Sequence, residues 1–148
     1  MGGRWFWTTP LLADAVLGLM SASTLTDFGL KQNFHNQALI TKELESMYAR
    51  EAQRDGAVAA LIAQERQLVP SNPEEWERGH RKIRKPTLIL WGGEDKLVPM
   101  AQGTRLAGDI QGSTLVVIAD VGHSPHLEAP AMVLRLVLPF LGKVSARQ

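Results

Sequence analysis

The sequence predicts an α/β fold in which two parallel strands with flanking helices are preceded by a helical segment. Three observations lead there. Thr87–Trp91 and Thr114–Ile118 are short apolar runs with the length and side-chain types of strands buried on both faces. A helical stretch from Met100 to Gly108 separates them, and a strand–helix–strand crossover makes the pair parallel. Residues 1–70 are mainly helical in pattern, whereas 71–148 alternate helix and strand.

Taken in order, the chain opens on an apolar anchor of Trp5, Phe6 and Trp7. Thr9 followed by Pro10 is a capping hydroxyl and a first-turn proline, and Leu12, Ala15, Val16 and Leu19 then recur at helical spacing to Met20. This stretch loosely imitates a secretory signal, but Asp14 sits inside the would-be apolar region and favours an amphipathic helix. Phe6 stands where an N-myristoylation motif needs Ser or Thr, which excludes that modification. Residues 21–40 carry Ser, Thr, Gly and Asn and read as irregular.

From Thr41 a helix presents Leu44, Met47 and Tyr48 on one face. Asp55-Gly56 interrupts it, and Ala57–Gln67 resumes with Val58, Leu61 and Ile62 before Pro70 breaks the chain. Asn72-Pro73-Glu74-Glu75 starts another helix with a cap, a proline and two acids near the positive end of the dipole. It should end before Lys85-Pro86. The last helix begins at Pro130 with Val133, Val137, Phe140 and Leu141 as its apolar face, and Pro139 should end or kink it.

Bulk properties narrow the function by exclusion. A net charge of +1 points to neither nucleic acid nor an acidic membrane surface. The absence of cysteine removes disulfides, thiol catalysis and thiolate metal sites. No apolar run approaches the roughly 20 residues of a membrane span. His35, His80, His123 and His126 lack the helical spacing of a metal pair, and no glycine-rich phosphate loop is present. The basic run from Arg78 to Lys85 lies at a helix C-terminus and reads as a solvated, dipole-favoured cluster. Tyr48, Trp5 and Trp7 read as packing residues rather than the lining of an acyl pocket.

The chemistry concentrates at two turns. After the first strand the chain passes Gly92-Gly93 and presents Asp95; after the second it passes Gly122 and presents His123. Both follow the carboxyl ends of parallel strands, where α/β proteins place ligands and reactive groups. A carboxylate and an imidazole so placed fit the acid and base of a nucleophile–His–acid triad, with Asp95 fixing the tautomer and His123 moving the proton.

L-I-L-W-G-G-E-D-K-L-V-P and V-V-I-A-D-V-G-H-S-P-H-L-E-A-P resemble the acid and histidine motifs of the α/β-hydrolase superfamily, and the match is specific from about Ile83 to Leu141. The resemblance implies that Asp95 is the triad acid and His123 the base, with His126, Glu128 and Pro130 in support. It also implies a division into a helical cap segment (1–70) and a C-terminal part of the hydrolase core (71–148).

A complete member has earlier strands, an oxyanion loop and a Gly-x-Ser-x-Gly elbow, none of which this sequence contains. Gly122-His123-Ser124-Pro125-His126 imitates the elbow, yet the oxyanion hole needs the N–H after the serine and Pro125 has none. The expectation is therefore a C-terminal portion of a hydrolase that supplies Asp95 and His123 without the nucleophile and is inactive alone. The parent would cleave a small-molecule ester or related bond through a covalent intermediate, with no cofactor and no metal. Serine or aspartate remains open as its nucleophile. The alternative is a non-catalytic truncated domain that acts only by associating with a partner, either a complementing N-terminal half or another copy. A cytoplasmic location is expected, with no nucleic-acid or membrane partner.

Overall fold

The computed structural model describes residues 21–67 and 72–146. The helix expected over Pro10–Met20, the Trp5–Trp7 anchor and the break at Pro70 lie outside them. Two compact units divide the chain. The first takes Met1–Leu30 and Thr41–Pro70, and the second takes Lys31–Ile40 and Ser71–Gln148.

The segment read as irregular begins instead as helix α1 (Ala22–Asn33). Its polar residues are used at the start of the helix rather than against it. Ser21 Oγ accepts from Thr24 N (3.2 Å) as a cap, and the Thr26 hydroxyl donates back to the Ser23 carbonyl. After α1 comes a 3₁₀ turn, Gln37–Leu39, which Asn36 caps through Ala38 N.

In the first unit, Thr41 caps α2 (Lys42–Ala52) by accepting from Leu44 N at 3.2 Å. Hydrogen bonds from the Glu43 backbone and the Thr41 side chain hold the Glu43 carboxyl below the usual range. Gly56, at φ +79°, provides the left-handed turn into α3 (Ala57–Gln67). The apolar face expected on α2 is only partly used: Leu44 is half-buried, but Met47 and Tyr48 are exposed.

The second unit holds the sheet. Asn72 accepts from Glu75 N and Pro73 opens α4 (Pro73–His80), as its cap-proline-acid pattern requires. Then follow β1 (Leu88–Gly92), α5 (Met100–Asp109), β2 (Thr114–Ile118), the short α6 (Pro125–Glu128) and α7 (Pro130–Ser145). β1 and β2 pair in parallel, Leu88 beside Thr114 through to Gly92 beside Ile118. This register puts Leu88, Leu90, Thr114 and Val116 on one face and Ile89, Trp91, Leu115 and Val117 on the other. On the second face α5 approaches so closely that a Cβ on Gly103 would lie 2.7 Å from the Trp91 ring. On the first, Leu136, Pro139, Phe140 and Val144 of α7 share a groove with Leu88, Thr114 and Val116.

The buried core of the unit includes Phe34, Ile89, Ile110, Ile118 and Val121. The cations of the basic run are exposed, as its sequence suggests, and Arg81 adds surface ion pairs. Arg81 Nε bonds Asp109 Oδ1 at 2.9 Å, Arg105 pairs with Glu77, and the Asp109 carboxylate raises the Arg81 guanidinium above its usual value.

Besides the segment from residue 21, three expectations are corrected here, the one at Pro139 in part. The strands are not buried on both faces, since Val117 is 48% exposed; two strands offer too little neighbouring sheet to cover each other. Of the two outcomes expected at Pro139, an end is excluded, because helix α7 continues to Ser145. A proline costs one backbone hydrogen bond, and half-buried Phe140 and Val144 beyond it still face the sheet. Leu141 is not on that buried face: with Leu134 and Leu138 it forms an exposed apolar row, Leu138 reaching 61% exposure.

Candidate active site

Two backbone turns meet beyond the carboxyl ends of β1 and β2. Gly93 N donates to Ile118 O (2.8 Å) and Glu94 N to Val121 O (2.9 Å), so the strand ladder continues into the turns. Gly92 makes the approach possible. A Cβ there would stand 1.9 Å from Gly122 O and 2.5 Å from Val121 O, distances that no side chain tolerates. Asp120, in left-handed conformation at φ 57°, swings the chain from β2 toward Val121, and a short polar side chain is among the few that accept this conformation.

The consequence is that Asp95 and His123 meet. His123 Nδ1 lies 2.8 Å from Asp95 Oδ2. The other carboxylate oxygen accepts from Leu97 N and Val98 N, both at 2.9 Å, so the acid is locked by its own turn before it reaches the histidine. The Asp95 side chain is 6% exposed and that of His123 is 38% exposed. An ionised carboxylate only accepts hydrogen bonds, so this pairing assigns the proton to Nδ1 and leaves Nε2 as the nitrogen able to take another. The pair has the geometry of a buried orienter behind an accessible base.

A second carboxylate organises the histidine turn. Glu128 Oε1 accepts from Gly122 N (2.7 Å), and Oε2 accepts from His35 N (2.8 Å) and Asn36 N (3.0 Å). His123 N donates to Asn33 O at 2.7 Å. Gly122 is pressed against the same segment, since a Cβ would sit 2.5 Å from Asn33 O. Residues 33–36 are thus part of the site, and their place there was not read from the sequence. Phe34, 2% exposed within a polar stretch, was the available signal. Of the other supporting residues, Pro130 opens α7 and His126 lies exposed on α6.

Ser124 is buried, and its hydroxyl donates to Asn33 Oδ1 at 3.3 Å. Pro125 follows it as the first residue of α6. Among the described residues no group of three or more His, Cys, Asp or Glu is placed to hold a metal. Nor is any described helix long and apolar enough to cross a membrane.

Parallel strands that carry an acid and a histidine beyond their carboxyl ends define a class of α/β protein, and comparison with known proteins names it. A family model for the alpha/beta hydrolase fold matches residues 18–130. The chain belongs to the α/β-hydrolase family, and its two parallel strands with flanking helices correspond to a C-terminal portion of that fold.

It is 36% identical over 107 residues to the 2-hydroxy-6-oxononadienedioate/2-hydroxy-6-oxononatrienedioate hydrolase of Klebsiella pneumoniae, a match covering 72% of this chain and 35% of that protein. A putative lipase from Acinetobacter baumannii superposes with a TM-score of 0.70 at 29% identity, over 93% of this chain and 48% of the lipase. A meta-cleavage product hydrolase from Pseudomonas fluorescens has the same fold, with a TM-score of 0.69 at 23% identity over 88% of this chain and 49% of the other. The matched region thus spans about a third of the length of the curated relative and about half of the solved chains.

Proposed function

We propose that this chain carries the acid and base of a hydrolase that works through a covalent nucleophile. Asp95 holds His123 in one tautomer and stabilises the imidazolium, while Nε2 takes a proton from the nucleophile and returns it to the leaving group. The observation that carries the reading is the 2.8 Å bond between His123 Nδ1 and a carboxylate whose other oxygen is already saturated by two backbone N–H groups.

The helical unit is read as cap, and Asp95 and His123 belong to the core. The name of the Klebsiella relative, whose substrate is a hydroxy-oxo diacid, favours a small molecule with a carbonyl over a haloalkane or an epoxide. Attack on a carbonyl leads to a serine nucleophile, and no Gly-x-Ser-x-Gly occurs in this sequence. The chain is then a part of the working enzyme and inactive by itself.

The test is an assay of the purified chain against p-nitrophenyl esters. The reading expects no turnover above buffer. Turnover lost on His123→Ala would overturn the inactivity and require a nucleophile within this chain.

A second reading is favoured by the exposed row of Leu134, Leu138 and Leu141 and by exposed Val117 on a two-stranded sheet. On that reading the chain acts through association, with a complementing N-terminal half or with a second copy. Sedimentation velocity over a concentration series tests the second-copy form, because a strictly monomeric chain at all concentrations removes self-association.

A further inference from the structure

We propose that Glu128 is a positioning residue for His123, acting as a two-sided strut that ties the histidine turn to residues 33–36. The inference rests on the reading of His123 as the base. Glu128 touches neither the imidazole nor Asp95 in any hydrogen bond described above; its three hydrogen bonds all go to backbone N–H groups. One oxygen holds Gly122, the residue before His123, and the other holds His35 and Asn36.

The histidine's own N–H is taken by Asn33 O, within the same short segment. His123 is therefore suspended between two attachments that both end on residues 33–36. Phe34, at 2% exposure, anchors that segment in the core, and Gly122 lies too close to it for any side chain. The chain reaches the helical unit at Thr41, a few residues further on. Displacement of residues 33–36 would thus be passed to the imidazole through a carboxylate.

The chemistry of the strut makes the claim specific. A carboxylate has two acceptor oxygens and bridges donors on both sides, whereas an amide of the same size has one acceptor and one donor. Glu128→Gln keeps volume and shape but can satisfy only one side. The other side then faces an NH₂ group and loses its bonds. The His123–Asp95 bond is short and directional, so loss of one attachment reaches it.

The experiment is NMR hydrogen exchange on the full chain, following the amides of Gly122, His35 and Asn36 together with the Nδ1 proton of His123. In the unsubstituted chain that Nδ1 proton should be slow to exchange and should vanish on Asp95→Asn. Glu128→Gln should speed its exchange at least about tenfold, the size of one lost hydrogen bond to a charged group. Protection should fall on one side of the bridge, with the amide of Leu90 in β1 unaffected. Loss of amide protection with Nδ1 exchange unchanged would overturn the proposal and leave Glu128 a purely structural residue. If the unsubstituted chain shows no Nδ1 proton that depends on Asp95, it is the acid–base reading that has failed, and the positioning role falls with it. Should Glu128→Gln not fold, the unsubstituted chain decides: the Gly122 and His35 amides and the Nδ1 proton open at one common rate if the strut joins them, and at unrelated rates if it does not.

Discussion

His123 Nδ1 and Asp95 Oδ2 stand 2.8 Å apart at the end of two parallel strands, although 28 positions separate the residues along the chain. What joins them is mostly backbone. Gly92 lets the two turns touch, the Gly93 and Glu94 N–H groups stitch them together, and the Leu97 and Val98 N–H groups hold the acid in place.

Asp95 has two separable duties, orienting the histidine and closing its own turn. Asp95→Asn retains an oxygen for Leu97 N and Val98 N but offers the imidazole an NH₂ donor. In an enzyme completed with a nucleophile-bearing segment, kcat should fall on the order of 10⁴-fold, as in triads that lose the carboxylate. Asp95→Ala also loses the turn bonds and should cost about 2–4 kcal/mol in urea unfolding. Equal stability losses for both substitutions would refute the division.

The glycines sort by what surrounds them. Gly92→Ala forces backbone apart and should cost more than about 3 kcal/mol or prevent folding. Gly103→Ala drives a methyl into the Trp91 ring and should cost about 1–3 kcal/mol. Gly142 lies within α7 with nothing within 4 Å of its would-be Cβ, so Gly142→Ala should stabilise by about 0.5–1 kcal/mol. Thermal unfolding of the three variants gives the order directly.

Ser124 offers a check on the nucleophile. Its hydroxyl is committed to Asn33, and the next residue has no N–H. Ser124→Ala should leave any hydrolysis by a completed enzyme within about twofold and cost about 0.5–1.5 kcal/mol of stability. A fall in kcat comparable with that of His123→Ala would make Ser124 the nucleophile after all.

The exposed leucines of α7 predict behaviour in solution. Leu134→Lys combined with Leu138→Lys replaces apolar surface at two positions that are 54% and 61% exposed. The double variant should shift any concentration-dependent oligomer toward monomer in sedimentation. Its unfolding free energy should stay within about 1 kcal/mol of the parent, because little buried area is lost. An unchanged oligomer distribution would move the association elsewhere.

Much of the fold was legible from short spacings. The two strands, the helix between them, the Asn72–Pro73 start and the Asp55-Gly56 turn all follow from patterns a few residues long, and the structure has them within a residue or two. That Asp95 and His123 could meet was legible for the same reason, each lying in a turn a few residues past a strand end. Residues 22–33 are helical although their Ser, Thr, Gly and Asn content predicts an irregular stretch, because Ser21 and Thr26 spend their hydroxyls on the helix itself.

By itself, then, the sequence determined the elements outside residues 21–33 and the turns that carry Asp95 and His123, and it argued against Ser124 through the proline after it. Only the tertiary structure decided that α7 survives Pro139, that Leu141 faces outward, and that Glu128 reaches back 93 positions to His35. The physical reason is range. Periodicity and capping act over two to four residues, so a sequence displays them directly. Which distant backbone N–H a carboxylate meets depends on how whole segments pack, and no spacing along the chain records that.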